Sequence, residues 1–166
     1  MSRVVHQRHR PSSTLQHPRE LVLACPPLRS NVNLSRIVRT AGCWGVQRLL
    51  VCGNPRIVPQ IARDSLEQVE IEVRRSLVPV LKRFKAERYQ IVGLEQASNS
   101  VSLYDFEFPK RTVLVIGNER EGLREAILNV LDHVVEIPVF GLPNSYNVAS
   151  ATAMALYEYC RQYPEG

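Results

Sequence analysis

Short apolar runs alternate along the chain with longer stretches whose apolar positions recur at helical spacing. ELVLAC (20–25), RLLVC (48–52), YQIVGLE (89–95), RTVLVIG (111–117) and HVVEIP (133–138) read as buried strands, and VEIEV (69–73) as a shorter one. RTVLVIG is the strongest, being rich in β-branched residues. From Asn33 to Trp44, Leu34, Ile37, Val38 and Ala41 form one helical face, with Gly42 and Gly45 weakening its end. Helices are likewise expected over Leu77–Arg88, Leu123–Leu131 and Asn147–Gln162, with a short one at 56–63, and the polar residues 96–102 read as a loop. Strands alternating with helices predict an α/β fold, a mostly parallel sheet with helices on both faces. One domain is expected over 20–166, preceded by an arm at 1–19. In such sheets ligands bind beyond the carboxyl ends of the strands. Three loops leave such ends: 95–102, 117–122 and 138–146.

Composition narrows the partners. The chain of 166 residues is 45% hydrophobic, ordinary for a globular domain, and no apolar run is long enough to span a membrane. MSRVVHQRHRPSS carries charge with no apolar core behind it, so no secretory signal and a cytoplasmic location are expected. Cys25, Cys43, Cys52 and Cys160 form no CxxC pair, and His6, His9, His17 and His133 have no neighbour at metal spacing. Reduced thiols and no metal are expected. A net charge of +5 favours a polyanion. Arg3, Arg8, Arg10 and Arg19 sit in a Pro- and Ser-containing segment with little to bury. It reads either as a flexible basic arm for that polyanion or as a tail without a role.

Three stretches carry candidate chemistry. In NVNLSRIVRTAGCWG (31–45), with Asn33 at zero, the apolar face centres at about 90°, Arg39 falls at about 240° and Arg36 at about 300°. The arginines are either a solvated face or, with Asn33 on the exposed side of the helix, groups placed to meet a phosphate or a ribose. In VLVIGNEREGL (113–123) Gly117 and Gly122 permit close approach of a ligand, while GxGxxG and GK[ST] are both missing. Glu119 there would repel phosphate, so a cationic or hydroxyl-bearing ligand fits better than a nucleoside triphosphate. In VEIPVFGLPNSYNVASATAMALYEY (135–159) Asn144, Ser145, Tyr146 and Asn147 crowd the entry to an alanine-rich helix. One polar residue suffices as a cap, so either a cap with a turn or a ligand at the helix N-terminus is indicated.

Together these stretches resemble the three motifs of the SpoU/TrmH family of SPOUT methyltransferases over about residues 20–160, with Asn33 and Arg39 in the first, Asn118 and Glu119 in the second, and Ser145 and Asn147 in the third. Tyr146 departs from the family's usual leucine. The resemblance implies transfer of a methyl group from S-adenosylmethionine to a ribose 2′-hydroxyl of RNA. It also implies a deep C-terminal trefoil knot from about residue 112 onward, and a homodimer joined through the C-terminal helices. It implies that backbone groups around Leu94, Gly117, Ile137 and Leu142 hold the adenine, with Glu95, Asn118, Ser145, Tyr146 and Asn147 completing the cofactor site. Asn33, Arg39, Glu119, Ser145 and Asn147 would serve catalysis, and Arg8, Arg10, Arg36 and Arg39 would contact RNA. The family often assigns the general-base role to the residue matching Arg39. A guanidinium is effectively always protonated, so the preferred role is to hold the target phosphate and stabilise the developing alkoxide, if need be at a site shared with a partner subunit. Asn33 would orient Arg39 or the ribose, and Glu119 would fix the loop or Arg39. The form of the second motif looks most like the branch acting on guanosine of tRNA. The alternatives are a ribosomal RNA substrate and a non-catalytic RNA-binding module of the same fold.

Overall fold

Leu21–Cys25 has no polar interruption and forms the interior strand β1, every residue buried. The chain then turns through Pro26 and Pro27 into helix α1 (Asn31–Cys43), capped by Ser30, whose side chain accepts the Asn33 N–H at 3.1 Å. Gly45, at φ +70°, turns the chain after Trp44. The other elements are β2 (Arg48–Cys52), α2 (Pro59–Ala62), α3 (Ser65–Gln68), β3 (Glu70–Arg74), α4 (Leu77–Ala86), β4 (Gln90–Leu94), β5 (Val101–Ser102), β6 (Thr112–Ile116), α5 (Glu125–Leu128), β7 (His133–Glu136) and α6 (Val148–Gln162). This computed structural model describes residues 4–8 and 10–166; Arg3 and His9 lie outside the described residues.

Among the described residues the sheet has seven strands in the order β3-β2-β1-β6-β4-β7-β5, and every pairing is parallel. The period of two along β1 splits the core. Leu21, Leu23 and Cys25 face one layer with the apolar sides of α1 and α6, and Val22 and Ala24 face the other with those of α4 and α5. Both faces are covered, which is why the strands read as continuous apolar runs. All four cysteines are free, with Cys43 alone exposed; burial pushes the Cys160 thiol up to about 11.

The structure departs from the sequence reading in four places. Val101 and Ser102, read as loop, form the edge strand β5; a two-residue strand has no periodicity to detect, and its pairing is imposed by Val135 and Glu136 of β7. The helix expected at 56–63 shortens to α2, and α3, which follows it outside that segment, was not expected; both pack on α1. Helix α5 is shorter than the apolar pattern suggests, because Leu123, Val130 and Leu131 reach the core from turns flanking it. Arg19 does not belong to a free arm. It is buried, with Nε donating to Trp44 O and Nη1 to Tyr163 O, both at 2.6 Å. One guanidinium thus satisfies carbonyls at the C-terminal ends of α1 and α6, where a cation is favoured. The N–H groups of Gln16 and His17 both donate to Glu165 O, so the chain is already docked there, while residues 10–14 are exposed.

Candidate functional site

Since the strands are parallel, the loops after β1, β4, β6 and β7 emerge on one edge of the sheet. They enclose a cavity of about 480 Å³, within the usual range for small-molecule sites. The strand ends Leu94 and Ile116 form part of its wall, and residues 117–120, 136–137 and 145–148 supply much of the remainder.

A continuous hydrogen-bond chain joins three of these loops. Glu119 Oε2 accepts the Arg29 N–H at 2.9 Å, and Oε1 accepts the Ser30 N–H at 3.0 Å and Asn33 Nδ2 at 3.3 Å. Asn147 Nδ2 donates to Asn33 Oδ1 at 3.1 Å. Asn147 Oδ1 accepts the Ala149 and Ser150 N–H groups at 2.9 and 3.3 Å, which makes it the cap of α6. Partial burial pushes the Glu119 carboxyl up, but the N–H groups of Arg29, Glu119 itself and Ser30, with the Asn33 amide, outweigh it and hold the pKa below the usual carboxylate value.

The loop after β6 folds back tightly. Asn118 and Gly122 exchange two backbone hydrogen bonds at 3.0 and 3.1 Å, Asn118 Oδ1 accepts the Arg120 and Glu121 N–H groups, and Asn118 Nδ2 donates to Pro27 O at 2.8 Å. Gly122 sits at φ +62°, and a Cβ on it would lie 2.3 Å from Glu95 Oε2. Glu95 Oε2 accepts the Leu123 N–H at 2.7 Å, and Oε1 accepts the Gln96 N–H at 3.0 Å. Across the cavity Ser100 donates to Glu136 Oε2 at 2.7 Å. Among the described residues, then, three carboxylates line the cavity, Glu95, Glu119 and Glu136, each held by neutral donors, and Arg120 is the one cation on its wall. Such a wall favours a cationic or hydroxyl-bearing ligand over a phosphate.

The loop at 138–146 closes the remaining side. Tyr146 Oη donates to Pro138 O, and Gln96 Nε2 to Asn144 O, each at 3.2 Å. Ser145 lines the cavity, and its hydroxyl has no hydrogen-bond partner among the described residues.

Of the expected site residues, Asn33, Leu94, Glu95, Gly117, Asn118, Glu119, Ile137, Ser145, Tyr146 and Asn147 all line this one cavity. Asn33 is not on the exposed side of α1. It is buried, at 8% exposure, because its amide is enclosed between Glu119 and Asn147. Asn33 and Glu119 are thus engaged with each other and with Asn147, Arg29 and Ser30, and not with the Arg39 of the same chain. Leu142 is 87% exposed and stands off the cavity wall. Arg39 is exposed and lines a different cleft, beside Trp44 and α3. Arg8, Arg10 and Arg36 are exposed and also outside the cavity. Sequence reasoning passed over Gln96, Arg120, Glu136 and Ala151. Glu136 left a usable signal, a carboxylate at the carboxyl end of a strand.

The family model described as SpoU rRNA Methylase matches residues 20–157. The chain is 33% identical over 148 residues to the mouse (Mus musculus) tRNA (guanosine(18)-2′-O)-methyltransferase TARBP1, covering 86% of this chain and 9% of that protein. Its structure resembles that of the A. aeolicus TrmH/SpoU tRNA modifying enzyme, with a TM-score of 0.85, 32% identity, and coverage of 91% of this chain and 79% of that one. It also resembles the SpoU methyltransferase AviRb from Streptomyces viridochromogenes in complex with the cofactor AdoMet, with a TM-score of 0.77, 30% identity, and coverage of 90% and 60%. The chain thus spans about a tenth of the mouse protein's length and under two thirds of AviRb's.

Proposed function

The chain belongs to the SpoU rRNA Methylase family, and from that premise we propose that it is an S-adenosylmethionine-dependent 2′-O-methyltransferase acting on a ribose of RNA, with tRNA as the substrate class. The observation that carries this reading is the cavity, where three separated motifs meet in one hydrogen-bond chain and the wall bears three carboxylates against one arginine. The names of the relatives favour tRNA, and the net charge of +5 suits a polyanionic substrate.

The residues fit the donor. Gly117 and Gly122 let backbone groups approach a flat ring, and the carboxylates oppose the positive charge of a sulfonium and an ammonium group. Leu94, Glu95, Gly117, Asn118, Ile137, Ser145, Tyr146 and Asn147 would hold it; Leu142 would take part only by moving onto the rim. Bound there, S-adenosylmethionine supplies an already activated methyl group, so catalysis rests on positioning the ribose oxygen. Asn33, pinned between Glu119 and Asn147, presents its amide at the cavity and orients the ribose; Ser145, with its hydroxyl unengaged, contacts donor or ribose. Arg39 holds the phosphate beside the target and stabilises the developing alkoxide.

Arg39 stands outside its own chain's cavity, so in this reading it serves the cavity of a second copy. The homodimer forms through α6, which leaves Met154 and Tyr157 exposed, and through the end of α1, where Trp44 meets Tyr157 edge to face at 5.8 Å. The chain from about residue 112 is threaded as a deep trefoil knot, a rare topology; the insertion of β6 between β1 and β4, with β7 beyond, supports it. The enzyme works in the cytoplasm, in keeping with four free thiols.

The test supplies methyl-labelled S-adenosylmethionine with bulk tRNA and, separately, ribosomal RNA, and digests each to nucleosides. A labelled 2′-O-methylnucleoside from tRNA is expected. Label confined to ribosomal RNA would overturn the substrate class, and label in neither would overturn the enzymatic reading.

A further inference from the structure

The segment between β2 and β3 lies along α1 on a single stripe of that helix. Asn31 Oδ1 accepts the Arg56 N–H at 3.3 Å, Ser35 Oγ accepts the Val58 N–H at 2.8 Å, and Arg39 O accepts Ser65 Oγ at 3.1 Å. These three residues are spaced i, i+4, i+8, so each anchor falls one turn further along the same ridge. Gly42 extends the contact, because the space its Cβ would take is filled by Ser65. The docking carries Arg63 to the rim of the cleft that Arg39 lines, a cavity of about 1010 Å³ beside the end of α1.

Arg63 is held in an unusual way. It follows α2 at φ 53°, ψ −143°, a conformation that a residue with a Cβ adopts at a cost and that glycine adopts freely. A side chain kept where glycine would fit better suggests a use for it. Both arginines are exposed, and neither has a carboxylate within ion-pair distance among the described residues. Among the described residues Asp64 is the single acidic side chain on the cleft wall, and the guanidinium of the third arginine there, Arg19, is engaged by two carbonyls.

We propose that Arg63 is a second phosphate-binding residue of the RNA site, holding a backbone phosphate of the substrate RNA in the cleft that Arg39 shares. This rests on the reading of the chain as an RNA methyltransferase. Arg63 positions RNA and touches neither donor nor reacting oxygen, so its loss acts on RNA affinity.

The test compares wild type, Arg63→Gly, Arg63→Lys and Lys82→Ala. Lys82 is exposed on α4, in the opposite layer, and controls for loss of one charge anywhere on the surface. Binding of bulk tRNA is measured across a salt series, with S-adenosylmethionine affinity, KM for tRNA and Tm alongside. Arg63→Gly should weaken tRNA binding about fivefold at 0.1 M salt, since losing one phosphate contact lowers the slope of log K against log salt by about 0.7. It should raise KM by a similar factor, leave donor affinity in place, and hold or raise Tm, because the strained backbone is relieved. Arg63→Lys should recover most of the affinity. Wild-type tRNA affinity and salt slope in Arg63→Gly, or an equal loss in Lys82→Ala, would overturn the proposal while leaving the enzyme reading intact. A wild-type protein that neither binds nor methylates RNA would overturn both.

Discussion

Glu119 ties the start of α1 to the loop after β6 through two backbone N–H groups and the Asn33 amide. Glu119→Gln keeps the shape but turns an amide toward donors that need an acceptor. It should cost about 1–3 kcal/mol of stability, read by denaturant unfolding, and weaken S-adenosylmethionine binding. The pH dependence has a definite sign. The folded pKa lies below the ordinary 4.5, so the carboxylate contributes stability that is fully present above pH 4.5 and is lost as pH falls through the folded value. The stability gap between wild type and Glu119→Gln should therefore be flat at neutral pH and narrow only on acidification below about pH 4.5. A gap that closes between pH 6 and 8 would assign the effect to another group.

Helix α1 is the element on which the site is assembled. Its apolar face fills one core layer, its first turn carries Asn33, and its anchor stripe holds α2 and α3. The contact with α3 depends on Gly42. A Cβ there would lie 2.3 Å from Ser65 Oγ and 3.1 Å from Ser65 Cα, so a side-chain rotation alone cannot relieve it. Gly42→Ala should destabilise by about 1–3 kcal/mol, and Ser65→Gly should recover part of that in the double variant. Simple additivity of the two unfolding energies would mean that the helices do not meet through this pair.

At the scale of the molecule, the separation of Arg39 from the cavity is the feature with the largest consequence for mechanism. If each cavity is completed by the other copy's arginine, Arg39→Ala and Asn147→Ala are both inactive alone, yet a mixture that exchanges subunits regains activity. Random pairing makes about half the dimers mixed, each with one intact site, so recovery should approach about a quarter of wild type. A mixture as inactive as its components would place Arg39 in the service of its own chain. Among the described residues no helix is long and apolar enough to cross a membrane.

The sequence by itself determined the parallel α/β architecture, because doubly covered strands must be apolar throughout and helices must carry an apolar stripe, and both periods are printed in the residues. It also marked the loops after β4, β6 and β7 as the place of a site, since loops at strand carboxyl ends are few and their polar residues conspicuous; Asn118, Glu119, Ser145 and Asn147 stood out on that ground, while Gln96, Arg120 and Glu136 did not. Only the tertiary structure decided that Asn33 is buried, because its partners Glu119 and Asn147 lie 86 and 114 residues away and no local period encodes them. It alone decided that Arg19 is a double helix-end cap rather than part of a basic tail, that β5 exists as a strand imposed by β7, and that Arg39 looks into another cleft. Local pattern records which face of an element is apolar; which loops and helix ends then meet is set by the order of the strands, and that order follows from packing across the whole chain.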